Sequence, residues 1–230
     1  MEWYLKAAEQ GDADAQNNVG FMYRHGKGVS GAYQKALEWY VKALRWYLKA
    51  AEQGHANAQS TTAVMYHAGK GVPQDYEKAM EWYLKVAEKE DADAQFNIGL
   101  MYQTGKGVSQ DFQKAMEWYM KAANQGNANA QFNIGLMYHA GKSVPLDFRK
   151  AIVWYLMAAD QGHTDAQRNV GLMYHDGMGV PKDTQRAMEW LRKAADADTI
   201  RNLEKMSQMS KPSKDQMSQF IDWTGKWTSS

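Results

Sequence analysis

Cysteine is absent from the 230-residue sequence, and with it go disulfide frameworks, thiolate nucleophiles and thiolate metal sites. That absence fits reducing and oxidising compartments alike, so the compartment stays open. An excess of one charge is missing too. Lys and Arg number 27 against 26 Asp and Glu, a formal net charge of +1, so no sequence-wide field exists to hold a nucleic acid or an anionic membrane. Apolar runs are only a few residues long, and the opening Met1-Glu2-Trp3-Tyr4-Leu5-Lys6 has no apolar h-region, so neither membrane insertion nor a signal peptide is expected. No strand pattern occurs either. With 44% hydrophobic and 23% charged residues, the chain nonetheless has the composition of a folded protein.

What is abundant is large side chains: 9 Trp, 13 Tyr and 15 Met. They recur on a ruler. Trp-Tyr pairs begin at Trp3, Trp39, Trp46, Trp82, Trp118 and Trp154, Trp190-Leu191 closes the series, and apart from one gap every spacing is 36. A fixed period of this size signals stacked helical or mixed repeats. Two adjacent copies, starting at Ala92 and Ala128, show the plan. A first helix over Ala92 to Thr104 places Ala94, Ile98, Met101 and Tyr102 on one face and stops at Gly105. A second starts after Asp111, a natural cap, and aligns Phe112, Ala115, Met116, Tyr119, Ala122 and Ala123, with Trp118 widening the stripe. The sequence Gly-Lys-Gly-Val at 26–29, 69–72 and 105–108 joins the two helices. Gly20, Gly99, Gly135 and Gly171 return inside the first helix, with Ala63 in the remaining copy; a glycine there costs about 0.5–1 kcal/mol, so a neighbouring helix is expected to pass close by. The Trp-Tyr pair is the expected filler opposite, and Trp82, Trp118 and Trp154 are expected in the inter-repeat core.

The combined pattern, Ala-x-x-Trp-Tyr-x-Lys-Ala-Ala-x-Gln-Gly-x-Ala-x-Ala-Gln-x-Asn-x-Gly-x-Met-Tyr-x-x-Gly-x-Gly-Val, resembles the Sel-1-like repeat family, relatives of the tetratricopeptide repeats, over about residues 1–197. The resemblance implies an all-α fold, a right-handed α/α superhelical solenoid of about five 36-residue repeats. It further implies a non-catalytic scaffold or adaptor that binds a protein or peptide, with first helices lining the concave surface and no cofactor. Some bacterial members are immunity proteins that neutralise secreted phospholipase effectors, which makes a toxic effector the alternative partner.

Three departures carry expectations of their own. Met1 falls where Met80, Met116 and Met188 fall, inside a second helix, so the chain opens on a trimmed or a half repeat. Residues 35–41 and 42–48 are a tandem duplication; seven residues turn through about 700°, close to two full turns, which predicts one long helix from about Tyr33 to Gln53. Its first half is expected on the helix of Met22 and Tyr23, its second on the helix of Met65 and Tyr66. Residues 198–230 lack the motif; Ile200, Leu203 and Met206, then Ser213 to Ile221, read as capping helices over the last apolar face.

Searches for chemistry point to binding. His67, His139 and His175 share one repeat position, separated by the roughly 8–10 Å of helix packing, which is wide for coordination bonds of about 2 Å; they read as exposed groove residues. Gly141-Lys142-Ser143 lacks the upstream glycine of a phosphate loop, Leu136 standing there. Asp75, Asp111, Asp147 and Asp183 recur at one loop-to-helix position and read as caps, with no nucleophile–base pair beside them. Functional signal is expected where the copies differ. After Ala-Gln they read Asn17, Ser60, Phe96, Phe132 and Arg168, and seven residues later Arg24, His67, Gln103, His139 and His175. Phe96, Phe132, Arg168, Arg24, His67, Gln103, His139 and His175 are therefore the candidate protein-binding residues, the alternative being a solvated face with two aromatics packed on neighbours.

Overall fold

Side chains that accept the first unpaired amides start most of the helices. The computed structural model describes residues 2–24 and 36–195, and among these are eleven α-helices and no strand. A first compact unit, ending at Asp147, holds α1 (Glu2–Glu9), α2 (Ala13–Arg24), α3 (Ala36–Glu52), α4 (Ala56–Ala68), α5 (Tyr76–Ala87), α6 (Ala92–Thr104), α7 (Phe112–Asn124) and α8 (Ala128–Ala140). A second unit, from Phe148, holds α9 (Phe148–Asp160), α10 (Thr164–Asp176) and α11 (Thr184–Ala194). The expected capping helices of the tail, and the first Gly-Lys-Gly-Val connection, lie outside the described residues.

Asp75, Asp111 and Asp183 accept the backbone N–H of Lys78, Lys114 and Arg186 at 3.0, 2.9 and 2.9 Å, which is why an acid recurs there. His55, Asp91, Asn127 and His163 do the same for α4, α6, α8 and α10. Two histidines are thus caps, and an Nδ1 that accepts a hydrogen bond needs its lone pair, so at His55 the donor is Nε2, which meets Asp14 Oδ1 at 2.9 Å. The same four first helices close on left-handed glycines, Gly69, Gly105, Gly141 and Gly177.

Repeats are joined by a buried amide. Gln16, Gln59 and Gln131 donate Nε2 to the carbonyl oxygens of Ala8, Ala51 and Ala123, eight residues upstream at the end of the preceding second helix, and Gln167 does so to Ala159 in the second unit. Each of those carbonyls also accepts the backbone N–H of the glycine three residues on, Gly11, Gly54, Gly126 or Gly162, and the buried glutamine supplies a second donor from the next repeat. The Ala-Gln of these four copies is therefore an inter-repeat staple, while in the copy of α6 Gln95 Oε1 accepts from Gln125 Nε2 at 2.9 Å.

Within a repeat, tyrosine is the regular filler, and of the described tryptophans Trp82 alone joins it. Tyr47, Tyr83, Tyr119 and Tyr155 are 2, 3, 0 and 0% exposed, and a Cβ at Gly99 would stand 2.6 Å from the Tyr119 ring. Leu191 takes that seat against Gly171 in the second unit. Among the described tryptophans Trp82 alone is buried, as expected; Trp46, Trp118, Trp154 and Trp190 are half-buried at the edge of the stripe and Trp3 is 86% exposed, which corrects the expectation of a core position for Trp118 and Trp154. Lysine ammoniums cover four of the half-exposed or bordering indoles: Lys49 on Trp46, Lys85 on Trp82, Lys121 on Trp118 and Lys193 on Trp190, at 4.6, 4.0, 3.9 and 3.9 Å.

The described part of the duplicated block, from Ala36, is helical, with no break between Tyr40 and Trp46. Its second copy makes the expected contact with α4 and reaches α2 as well. Tyr47, in the second copy, lies 3.0 Å from a Cβ built on Gly20 of α2, and Trp46 packs against Ala8, Ala15 and Val19. Leu44, Tyr47, Ala50 and Ala51 also share a core with Ala58, Ala63 and Met65. The second copy thus holds both neighbours, because it keeps the spacing to Gln53 that every other second helix has. The side chains of residues 36–40 lie outside the description.

Thr62 is the one fully buried position of α4 whose hydroxyl finds no hydrogen-bond partner; the other copies have Val19, Ile98, Ile134 and Val170 there, all 0% exposed. Thr62→Val keeps the shape and removes the desolvated hydroxyl, so it is expected to stabilise the fold by about 1 kcal/mol. A denaturation midpoint at or below that of the parent would show that the hydroxyl is satisfied after all.

Candidate functional site

The first unit carries a cleft of about 480 Å³ along its first helices, with Ser60, Thr61 and Val64 of α4, Phe96 and Asn97 of α6 and Asn129 of α8 among its walls. Its α4 wall carries a small side chain at a position that varies from copy to copy. Where α6 and α8 have Phe96 and Phe132, α4 has Ser60, so a hydroxymethyl group stands where an aromatic ring would fill the space. Tyr83 borders the same space, and burial pushes its phenol up to about 12, so it stays protonated.

The polar groups are ordered by the helix. Asn97 donates one hydrogen of Nδ2 to the Asp93 carbonyl at 2.8 Å, which fixes the amide and leaves its oxygen and its second N–H for the cleft. Asp91 and Asp93 stand at the α6 N-terminus: Asp91 Oδ1 accepts the Ala94 amide at 2.7 Å, and Asp93 Oδ1 accepts from Asn127 Nδ2 at 2.8 Å. Phe96 is half-buried, its ring 5.8 Å from that of Tyr119.

The remaining sequence candidates divide. Phe132 is half-buried at the matching position of α8. Arg168 belongs to the second unit and pairs with Asp165 at 2.8 Å, its side chain 22% exposed. Arg24 lies at the end of α2 and its side chain falls outside the description. The later stripe position turns toward the partner helix of its own repeat. Gln103 Oε1 accepts from the Tyr119 hydroxyl at 2.6 Å, and His67 stands edge-on to Tyr76 and Tyr83 at 5.3 and 6.1 Å. Burial, aided by the charge of Lys106, holds His67 below the ordinary histidine range, and its Nδ1 is buried with no hydrogen-bond partner. His139 and His175 are also half-buried, and His175 Nδ1 meets Asp176 Oδ1 at 2.8 Å. The expectation of exposed groove histidines is thus corrected.

Sequence reasoning missed the ninth position of the first helix, where Phe21, Val64 and Leu136 are 41, 38 and 37% exposed. It lies four residues beyond Asn17, Ser60 and Phe132, the spacing that defines one helix face, and that signal was available. It also missed an apolar departure in the second unit: Val153 and Met157, 54 and 42% exposed, stand where other second helices have Glu81 with Lys85 and Glu117 with Lys121. Among the described residues no group of three His, Asp or Glu is placed to hold a metal, and no helix is long and apolar enough to cross a membrane.

Comparison with known proteins follows the same lines. A family model for the Sel1 repeat matches residues 1–12, 13–55, 56–91, 92–127, 128–163 and 164–198. A Sel1 repeat protein from Oxalobacter formigenes is 35% identical, with a TM-score of 0.71 over 80% of this chain and 71% of that one. The protein c5321, a protective antigen present in uropathogenic Escherichia coli strains and displaying an SLR fold, is 26% identical with a TM-score of 0.69; 97% of this chain is covered but only 56% of that one. Immunity protein Pa5087 from Pseudomonas aeruginosa is 22% identical, with a TM-score of 0.52 over 84% of this chain and 71% of its own, a likeness of fold. No curated protein matches.

Proposed function

Since the chain belongs to the Sel1 repeat family, whose repeats generally mediate protein–protein interaction without catalysis, we propose that it is a binding scaffold that seats a protein or peptide segment on the first helices of its first unit. The observation that supports this most is the cleft beside Ser60. It is an irregular feature on a regular array, so it is not explained by what each repeat needs in order to stack. Phe96 and Phe132 are the aromatic anchors of the surface, the type of residue that supplies most hot spots in interfaces.

Phe96→Ala combined with Phe132→Ala is expected to weaken partner binding by at least about tenfold, or about 1.4 kcal/mol, in a variant that keeps its helical circular dichroism. A folded double variant that binds like the parent would move the interface elsewhere, with Val153 and Met157 the first surface to test. An immunity role is a narrower form of the same reading: one-to-one capture that silences a secreted toxic enzyme. The fold likeness to Pa5087 does not separate the two, whereas an effector gene beside this one would.

A further inference from the structure

Resting on that reading, we infer that the cleft takes an extended protein segment bearing a lysine or arginine, with an apolar side chain next to it. Asp91 and Asp93 are the only carboxylates on its walls, and no Lys, Arg or His lines it. Lys89, two residues before Asp91, has its ammonium engaged elsewhere, donating to the Gly54 carbonyl and to Gln59 Oε1 at 2.7 and 3.1 Å. Each carboxylate uses one oxygen locally, to the Ala94 amide and to Asn127, and a carboxylate has about four lone-pair sites, so both keep acceptor capacity for an incoming donor. The Asn97 oxygen adds a third acceptor.

A cation entering here leaves its alkyl stem in the groove, where Phe96 and Val64 offer an aromatic ring and an aliphatic surface. Two carboxylates of one sign beside a concave wall attract a cation together, and because Asp93 is exposed the attraction is open to screening by salt. The polar groups come from three successive first helices, Asn57 on α4, Asn97 on α6 and Asn129 on α8, so an occupant that reaches them runs across the helices, as an extended chain does. Segments rich in Asp or Glu are excluded by the same carboxylates.

A positional-scanning library of acetylated, amidated hexapeptides, probed with the labelled full chain at low and high salt, tests this. Lys and Arg are expected to be retained about tenfold over Asp and Glu at one position, with an apolar preference beside it and loss of the cation preference at high salt. Asp91→Asn with Asp93→Asn keeps the cap, since asparagine also caps helices, and is expected to erase the cation preference while the apolar one survives. Asp93→Asn alone, at an exposed position outside the cap, serves if the double variant does not fold. Retention that ignores charge, or favours acids, overturns the cationic occupant while the groove reading stands. Retention unchanged by Phe96→Ala, or no retention by the parent, overturns the groove and with it this inference.

Discussion

Tyr119→Ala is expected to destabilise the protein by about 3–5 kcal/mol, and Trp118→Ala by less than half as much. The sequence motif treats the two residues as a pair, but the packing does not. Tyr119 is 0% exposed, its ring occupies the space that the absent Gly99 side chain leaves, and its hydroxyl donates to Gln103 at 2.6 Å. Removing it opens a cavity that Gly99 cannot fill and leaves a half-buried amide oxygen without its donor. Trp118 lies half-exposed beneath Lys121 at 3.9 Å, a contact worth about 0.5–1 kcal/mol at such sites, and its loss leaves a dent open to water. Urea denaturation of both variants decides the matter; Trp118→Ala costing as much as Tyr119→Ala would return the tryptophans to the core. The loss at Tyr119 falls in the middle of the array, so in a nearest-neighbour solenoid it is felt by contacts on both sides.

Why period and motif reached the helices but not this distinction is a matter of angle. Adjacent residues on a helix differ by about 100°, and the apolar stripe of α7 is broad enough to admit both Trp118 and Tyr119. Only the position of Gly99 on the facing helix says which of them meets the backbone. Boundaries were legible because their causes are local: Asp111 and Gly105 bound α7 and α6 where a cap and a left-handed glycine are expected. The glutamine staples were not, since a Gln that bonds a carbonyl eight residues upstream looks polar in any one-dimensional pattern and is buried in three. The site shows the same division. Phe96 was found from variation between copies, but the cleft belongs to Ser60, and a cavity is a property of what the neighbours leave empty. The position of His67 and Gln103 was assigned to the groove because it is seven residues along the face; seven residues also bring it beneath Tyr83 and Tyr119, whose rings and hydroxyl decide where those side chains turn.

The spacing between repeats rests on a glycine that a substitution is expected to expose. Gly107→Ala should cost about 2–4 kcal/mol, in two parts that a control separates. Gly107 has φ +72, and any Cβ there would stand 2.6 Å from the Tyr76 carbonyl oxygen, at the start of α5 in the preceding repeat. Gly126 has φ +85 but nothing within 4 Å of a built Cβ, so Gly126→Ala incurs the backbone strain alone, about 1 kcal/mol. The excess at Gly107 measures the backbone contact between repeats. One copy already tolerates a side chain at this position: Ser143, φ +64, donates its hydroxyl to Gln113 at 2.9 Å, an exchange of close contact for a hydrogen bond. Equal losses at Gly107 and Gly126 would mean that the Tyr76 contact relaxes freely. If instead the excess is real, the loop after α6 and the start of α5 must part, and α5 and α6 pack on each other beneath the walls of the cleft. Gly107→Ala should then weaken binding at Phe96 and Asp93 although it touches neither, which calorimetric titration of the folded variant with a retained peptide would register.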